Sequence, residues 1–145
     1  MPGIVVGVDG SPNSERALDW AMKQAVAVRA PLTVIAVHEV PKSYWGHMPV
    51  VGPADAALLD SLRQAAEEMT QRAASRLGDA RPAAVTVHAV NGFVVKELVD
   101  ASQDADLVVI GARGGSSFAR VLVGSVNSEV VQHSACPVVI VPHKR

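Results

Sequence analysis

The sequence predicts a doubly wound α/β domain, an open parallel five-stranded sheet in the order 3-2-1-4-5 with helices on both faces. Three observations lead there. Short runs rich in Val and Ile alternate with helical patterns along the whole chain. Most of these runs are apolar on both faces, which suits parallel strands covered by helices on each side. Turn residues follow the first run, in Asp9-Gly10-Ser11, and glycines follow the fourth, in Gly111-Ala112-Arg113-Gly114. Asp9 and Gly111 share one site only if strands 1 and 4 are neighbours, and that condition sets the order.

The first strand is expected over Gly3 to Val8. Ser11 is the expected cap of the helix that follows, with Pro12 at its first position, where a missing N–H costs nothing. Ala17, Leu18, Ala21, Ala25 and Val28 fall on one face of that helix. The second strand runs from Leu32 to Val37. The segment Val40 to Ala54, VPKSYWGHMPVVGPA, holds three prolines, two glycines and the only Tyr, and reads as a lid or a surface loop. Leu58, Leu62, Ala65, Met69, Ala73 and Leu77 form the stripe of a second helix. A third strand is expected over Ala84 to Val90, and Val94, Val95, Leu98 and Val99 give the apolar side of a third helix. The fourth strand is Leu107 to Ile110. A last helix runs from Ser125 to about Gln132 with Val126 and Val130 inward, and a last strand covers Val138 to Val141.

Composition narrows the function. With 145 residues, 49% of them hydrophobic and 19% charged, the chain builds one core without metals or disulfides. A net charge of −1 supplies no basic field for nucleic acid or an anionic membrane, so small molecules or proteins are the expected partners. Cys136 stands alone, and no Cys/His group has structural zinc spacing. The N-terminus MPGIVVGVDG lacks the basic region and long apolar core of a signal peptide, and no apolar run approaches the roughly 20 residues that span a bilayer. The expectation is one soluble cytoplasmic domain over residues 1–145.

In an open α/β sheet, ligands bind beyond the carboxyl ends of the strands where the strand order reverses. Asp9 lies at that edge. It reads equally as a turn aspartate holding local amides or as an acceptor for ribose hydroxyls or an adenine amine. The stretch GARGGSSFARVLVGS, Gly111 to Ser125, carries four glycines. Gly111 and Gly114 allow backbone amides to wrap an oxygen-rich ligand, while Gly124 and Ser125 open a helix whose free amides and dipole favour phosphate. No Lys follows the glycines as in a Walker loop, and GxGxxG is absent.

Gly111, Gly114, Gly124 and Ser125 match G-x2-G-x9-G-[S/T], and the chain thereby resembles the nucleotide-binding branch of the universal stress protein family. VVGVDGS, LTVIAVHEV, VNG, DLVVIGARG and ACPVVIVP extend the resemblance over essentially the whole chain. It implies binding of an adenine nucleotide, usually ATP, alone or with Mg2+, and assembly as a homodimer. Carried over by residue, Asp9 with Gly10 and Ser11 meets the adenine and ribose region. His38 and Glu39 form part of the adenine pocket, Glu39 through its backbone, because the family often has a small or apolar residue there. Val90 stands for the apolar residue near the base, and Gly111 and Gly114 for the ribose and phosphate turn. Gly124, Ser125, Val126 and Asn127 stand for the phosphate-binding helix start, with Arg113 positioned in the loop to neutralise phosphate charge.

The resemblance and the residues together read as a nucleotide-dependent sensor or regulator in a stress response, acting with an unidentified protein partner. Asp9 is the only acid in the inferred turns besides Glu39, so no base and no metal-holding carboxylate pair is evident. Slow ATP hydrolysis, or binding of AMP or cyclic AMP, are the alternatives. A phosphoacceptor receiver stays in view as a rival with the same βα rhythm, but it wants an acidic pair after strand 1 and an aspartate at the end of strand 3, where Asp9-Gly10 and Val90-Asn91 stand. The run PVVIVP, Pro137 to Pro142, is the expected dimer edge: it is apolar and β-branched, and unpaired backbone along an outer strand seeks a partner.

Overall fold

The computed structural model describes residues 3–39, 53–112 and 125–143. Among them the chain alternates β1 (Ile4–Val8), α1 (Pro12–Val28), β2 (Leu32–Glu39), α2 (Pro53–Arg76), β3 (Val85–Gly92), α3 (Val94–Ser102), β4 (Leu107–Gly111), α4 (Ser125–His133) and β5 (Val138–Val141). All strand pairings are parallel and the order is β3-β2-β1-β4-β5. Fold class and strand order are those expected from the sequence.

Alternation along each strand divides the core in two. On one face Ile4, Val6 and Val8 of β1, Leu32, Val34 and Ala36 of β2, Val109 and Val141 pack with α1 and α2. On the other, Val5, Ile35, Val108 and Ile110 meet Leu98 of α3 and Val130 of α4. β1 is the middle strand and feeds both layers. Its neighbours are β2 on one side and β4 on the other, so the strand order reverses at its carboxyl end.

Helix stripes differ from expectation at three positions. Val28 is 55% exposed, because α1 ends there. Arg29 takes a left-handed φ of 57° and turns the chain away, its N–H reaching back to the carbonyls of Ala25 and Val26, and Met22 is buried in the stripe instead. On α2 the inward residues are Leu62, Ala66, Met69 and Ala73, a 4-3-4 spacing. Ala65 lies to one side of that line and is exposed. Leu58, near the start of α2, is 52% exposed. At the surface Arg72 meets Glu15 and Arg76 meets Asp19 at 2.6 Å, joining α1 to α2.

β2 and β3 each run two residues beyond the expected ends, because His38 pairs with Asn91 and Glu39 with Gly92. β3 also lacks the two-sided cover expected of it. α2 packs on one face, while α3 lies across β2, β1 and β4, leaving Thr86 and His88 exposed.

Candidate functional site

The turn between β1 and α1 is built as the sequence suggests. Ser11 is the N-cap, its Oγ accepting from the Ser14 amide at 3.1 Å, and Pro12 occupies the first helical position. Asp9 Oδ1 accepts from the Ser11 amide at 2.9 Å, and the Asp9 amide donates to Ser14 Oγ at 3.2 Å. Gly10 between them has φ 85°, a conformation glycine adopts without strain, and a Cβ there would meet nothing within 4 Å. Partial burial pushes the Asp9 carboxyl pKa up. The polar groups gathered around it, led by the Ser11 hydroxyl and amide and followed by the Ser14 hydroxyl, outweigh that and hold it below the usual carboxylate range. An ionised acceptor thus stands at the mouth, and one of its oxygens is engaged in the turn itself.

Gly111 ends β4 against the first turn of α1. A Cβ on Gly111 would lie 2.6 Å from the Asn13 carbonyl oxygen, 2.8 Å from its carbon and 3.2 Å from the Ser14 nitrogen. The absence of a side chain is therefore demanded by strand-to-helix contact within the protein. Polar groups fasten the same junction. Asn13 Nδ2 donates to the Ala112 carbonyl at 2.7 Å, Asn127 Nδ2 donates to the Gly111 carbonyl at 3.0 Å, and the Ala112 amide donates to the Val141 carbonyl at 2.8 Å. α1, α4 and β5 all hold the two residues from which the glycine-rich segment departs.

At the α4 start, Ser125 is exposed, whereas Val126 is half-buried against the second core layer. The Val126 side chain therefore turns to the core. Asn127 is buried and its amide is committed to Gly111. Arg113, Gly114 and Gly124 lie outside the described residues.

On the far side of β1, His38 is half-buried at the end of β2, and Val90 is half-buried on β3 in register with Val37. Glu39 has a task of its own: its Oε1 accepts from the Val94 amide at 3.1 Å. Phe93, the N-cap of α3, makes no side-chain capping bond, so Glu39 caps that helix from a neighbouring strand. Asp9, Gly10, Ser11, Gly111, Ser125, Val126 and Asn127 thus gather around the ends of β1 and β4, while His38, Glu39 and Val90 form the flank at β2 and β3. Asn13 and Ser14 were missed by sequence reasoning. The signal available was Ser11-Pro12-Asn13-Ser14, a capping segment rich in short polar side chains. Among the described residues no group of three or more His, Cys, Asp or Glu could hold a metal ion, and no helix is long and apolar enough to cross a membrane.

This geometry has relatives. Universal stress protein Rv2005c of Mycobacterium tuberculosis is 34% identical over 139 residues, covering 96% of this chain and 47% of that protein. A universal stress protein of Mycolicibacterium smegmatis is 32% identical over the same length and coverage. The chain thus spans about half the length of these curated relatives. Among solved structures, universal stress protein UspA from Lactobacillus plantarum superposes with a TM-score of 0.75 at 27% identity, covering 97% of both chains. A universal stress protein crystallised in complex with cAMP gives a TM-score of 0.68 at 29% identity, over 97% of this chain and 96% of that one. The model of the universal stress protein family matches residues 2–142, and with the strand order and the fastened β1 and β4 ends already described, this chain belongs to the universal stress protein family.

Proposed function

We propose that the protein binds an adenine nucleotide at the carboxyl ends of β1 and β4 and acts as a nucleotide-dependent sensor or regulator in a stress response. One observation carries the reading. Where the strand order reverses, an ionised carboxylate at Asp9 and the clamped Gly111-Ala112 pair sit beside the starts of two helices, α1 and α4. A carboxylate accepts from ribose hydroxyls or an amine, and helix starts favour phosphate. The nucleoside half would lie toward His38 and Val90, and the phosphates toward Gly111, Arg113, Gly114, Gly124 and Ser125.

ATP, alone or with Mg2+, is the proposed ligand, and the glycine spacing from Gly111 to Ser125 supports it. A second reading, binding of cyclic AMP, is favoured by the cAMP complex of the relative at 29% identity. Mass spectrometry of the nucleotide that co-purifies, followed by calorimetry with ATP and cyclic AMP, separates the two. Asp9→Ala should weaken ATP and adenosine alike by about 10- to 150-fold, the equivalent of about 1.5 to 3 kcal/mol for a lost charge-assisted hydrogen bond. Unchanged adenosine affinity would return Asp9 to a turn-holding role alone. A cytoplasmic homodimer joined through β5 and an unidentified protein partner complete the proposal; any ATP hydrolysis would be slow.

A further inference from the structure

Asn91, at the end of β3, holds an unmet chemical demand. Its side-chain Oδ1 is shut off from solvent and has no hydrogen-bond donor. Leaving a buried amide oxygen unpaired is unfavourable, and such a group in a folded protein usually answers to a ligand or a trapped water. Its position favours the ligand. Val8 is in register with Ala36 and Ala36 with Ala89, so Asn91, two residues further along β3 and paired with His38, stands level with Gly10 just after Asp9. Adjacent strands are about 4.8 Å apart, which puts β3 about 10 Å from β1 across the carboxyl edge, on the scale of a nucleoside laid from ribose to base. Alternation with Val87, which packs against the layer of α1 and α2, assigns Asn91 to that same face.

The geometry points to Asn91 as a specificity-determining residue, its Oδ1 accepting a hydrogen bond from the exocyclic amine of adenine. This rests on the adenine-nucleotide reading and deepens it. An amide oxygen accepts from the 6-amino group of adenine, repels the 6-oxo group of hypoxanthine, and finds nothing to bond in unsubstituted purine. A site whose buried polar group is left unpaired rejects the analogue that lacks the partner. The strand pairing that lengthens β2 and β3 beyond Val37 and Val90 is what brings Asn91 to this level.

Calorimetry with ATP, ITP and purine riboside triphosphate tests it on three proteins. The parent should prefer ATP over both analogues by about tenfold or more. Asn91→Leu, of similar size and without the acceptor, should lose about tenfold for ATP and nothing for purine riboside triphosphate. Asn91→Asp keeps an acceptor and should keep the preference for ATP. Circular dichroism and a thermal melt confirm that each variant is folded. If Asn91→Leu binds ATP as tightly as the parent and keeps its preference, the oxygen is satisfied by water and the inference is overturned. A parent that binds the three equally overturns it while leaving nucleotide binding intact, and a parent that binds none of them overturns the nucleotide reading itself.

Discussion

Gly111→Ala separates two reasons for a glycine, access for a ligand and access for the protein's own backbone. The added methyl would sit 2.6 Å from the Asn13 carbonyl oxygen and 2.8 Å from its carbon. Both atoms belong to the first turn of α1, so no side chain can swing aside. Ordinary contact requires α1 to retreat from β4 by roughly an ångström at that point, since overlap in a packed interior is relieved only by moving backbone. Overpacking of this kind costs about 1 to 3 kcal/mol. The retreat also stretches the bond from Asn13 to Ala112, now 2.7 Å, and losing it adds about 1 kcal/mol. The expected loss is about 2 to 4 kcal/mol, a large share of the roughly 5 to 15 kcal/mol that stabilises a domain. Urea denaturation of the parent and Gly111→Ala measures it directly, with an unchanged slope confirming that the same folded state is compared. A variant within about 0.5 kcal/mol of the parent, with nucleotide binding abolished, would refute the packing argument and return Gly111 to a role in ligand access alone.

Three further outcomes are expected. The Asp9 carboxyl pKa is lowered on folding, so its contribution to stability is present above the unfolded value near 3.9 and is lost as pH falls through the lower folded value. The stability gap between parent and Asp9→Asn, read from urea midpoints, should therefore be constant from pH 5 to 7 and close below about pH 4; a gap independent of pH would contradict the assignment. Arg29→Gly should raise stability by about 0.5 to 1 kcal/mol, because a left-handed residue ending α1 favours glycine, and an unchanged or lower melting temperature would count against strain there. In β5 the carbonyls of Pro137 and Val141 accept from β4, so by alternation the N–H groups of Val138 and Ile140 face outward; Ile140→Pro removes one without touching the β4 ladder, and should convert the proposed dimer to a folded monomer in sedimentation experiments.

The periodicities visible in the sequence are local, and what they specify is local structure. Val and Ile runs of four to seven residues marked every strand, and Ser11-Pro12 marked the start of α1, because each signal lies within one turn or one strand of its effect. The reasons for particular site residues were less legible. Gly111 also serves a contact the sequence does not show, because Asn13 is remote in sequence and becomes adjacent only when β4 packs beside β1. The side-chain task of Glu39 was not legible, because nothing near it announces the uncapped α3 start that it serves. Asn127 was correctly placed at the helix start, yet its side chain turns inward to a carbonyl that the sequence leaves unspecified. On α2, Ala65 and Ala66 are indistinguishable by composition, and only the angle at which the helix meets the sheet selects Ala66.

The central position of β1 has a consequence for how the chain is made. β1 pairs with β2 almost at once, Ile4 meeting Leu32, but its other partner is Leu107, which leaves the ribosome only after α2, β3 and α3. At a synthesis rate of about 5 to 20 residues per second, the nascent half-sheet β3-β2-β1 waits about 1 to 4 seconds for β4 with the flank of Val5 and Val6 open. An open apolar strand flank of that kind pairs with whatever strand it meets. The strand that later organises the site is thus the most vulnerable part of the growing chain, and slow elongation between β3 and β4 should favour aggregation over folding.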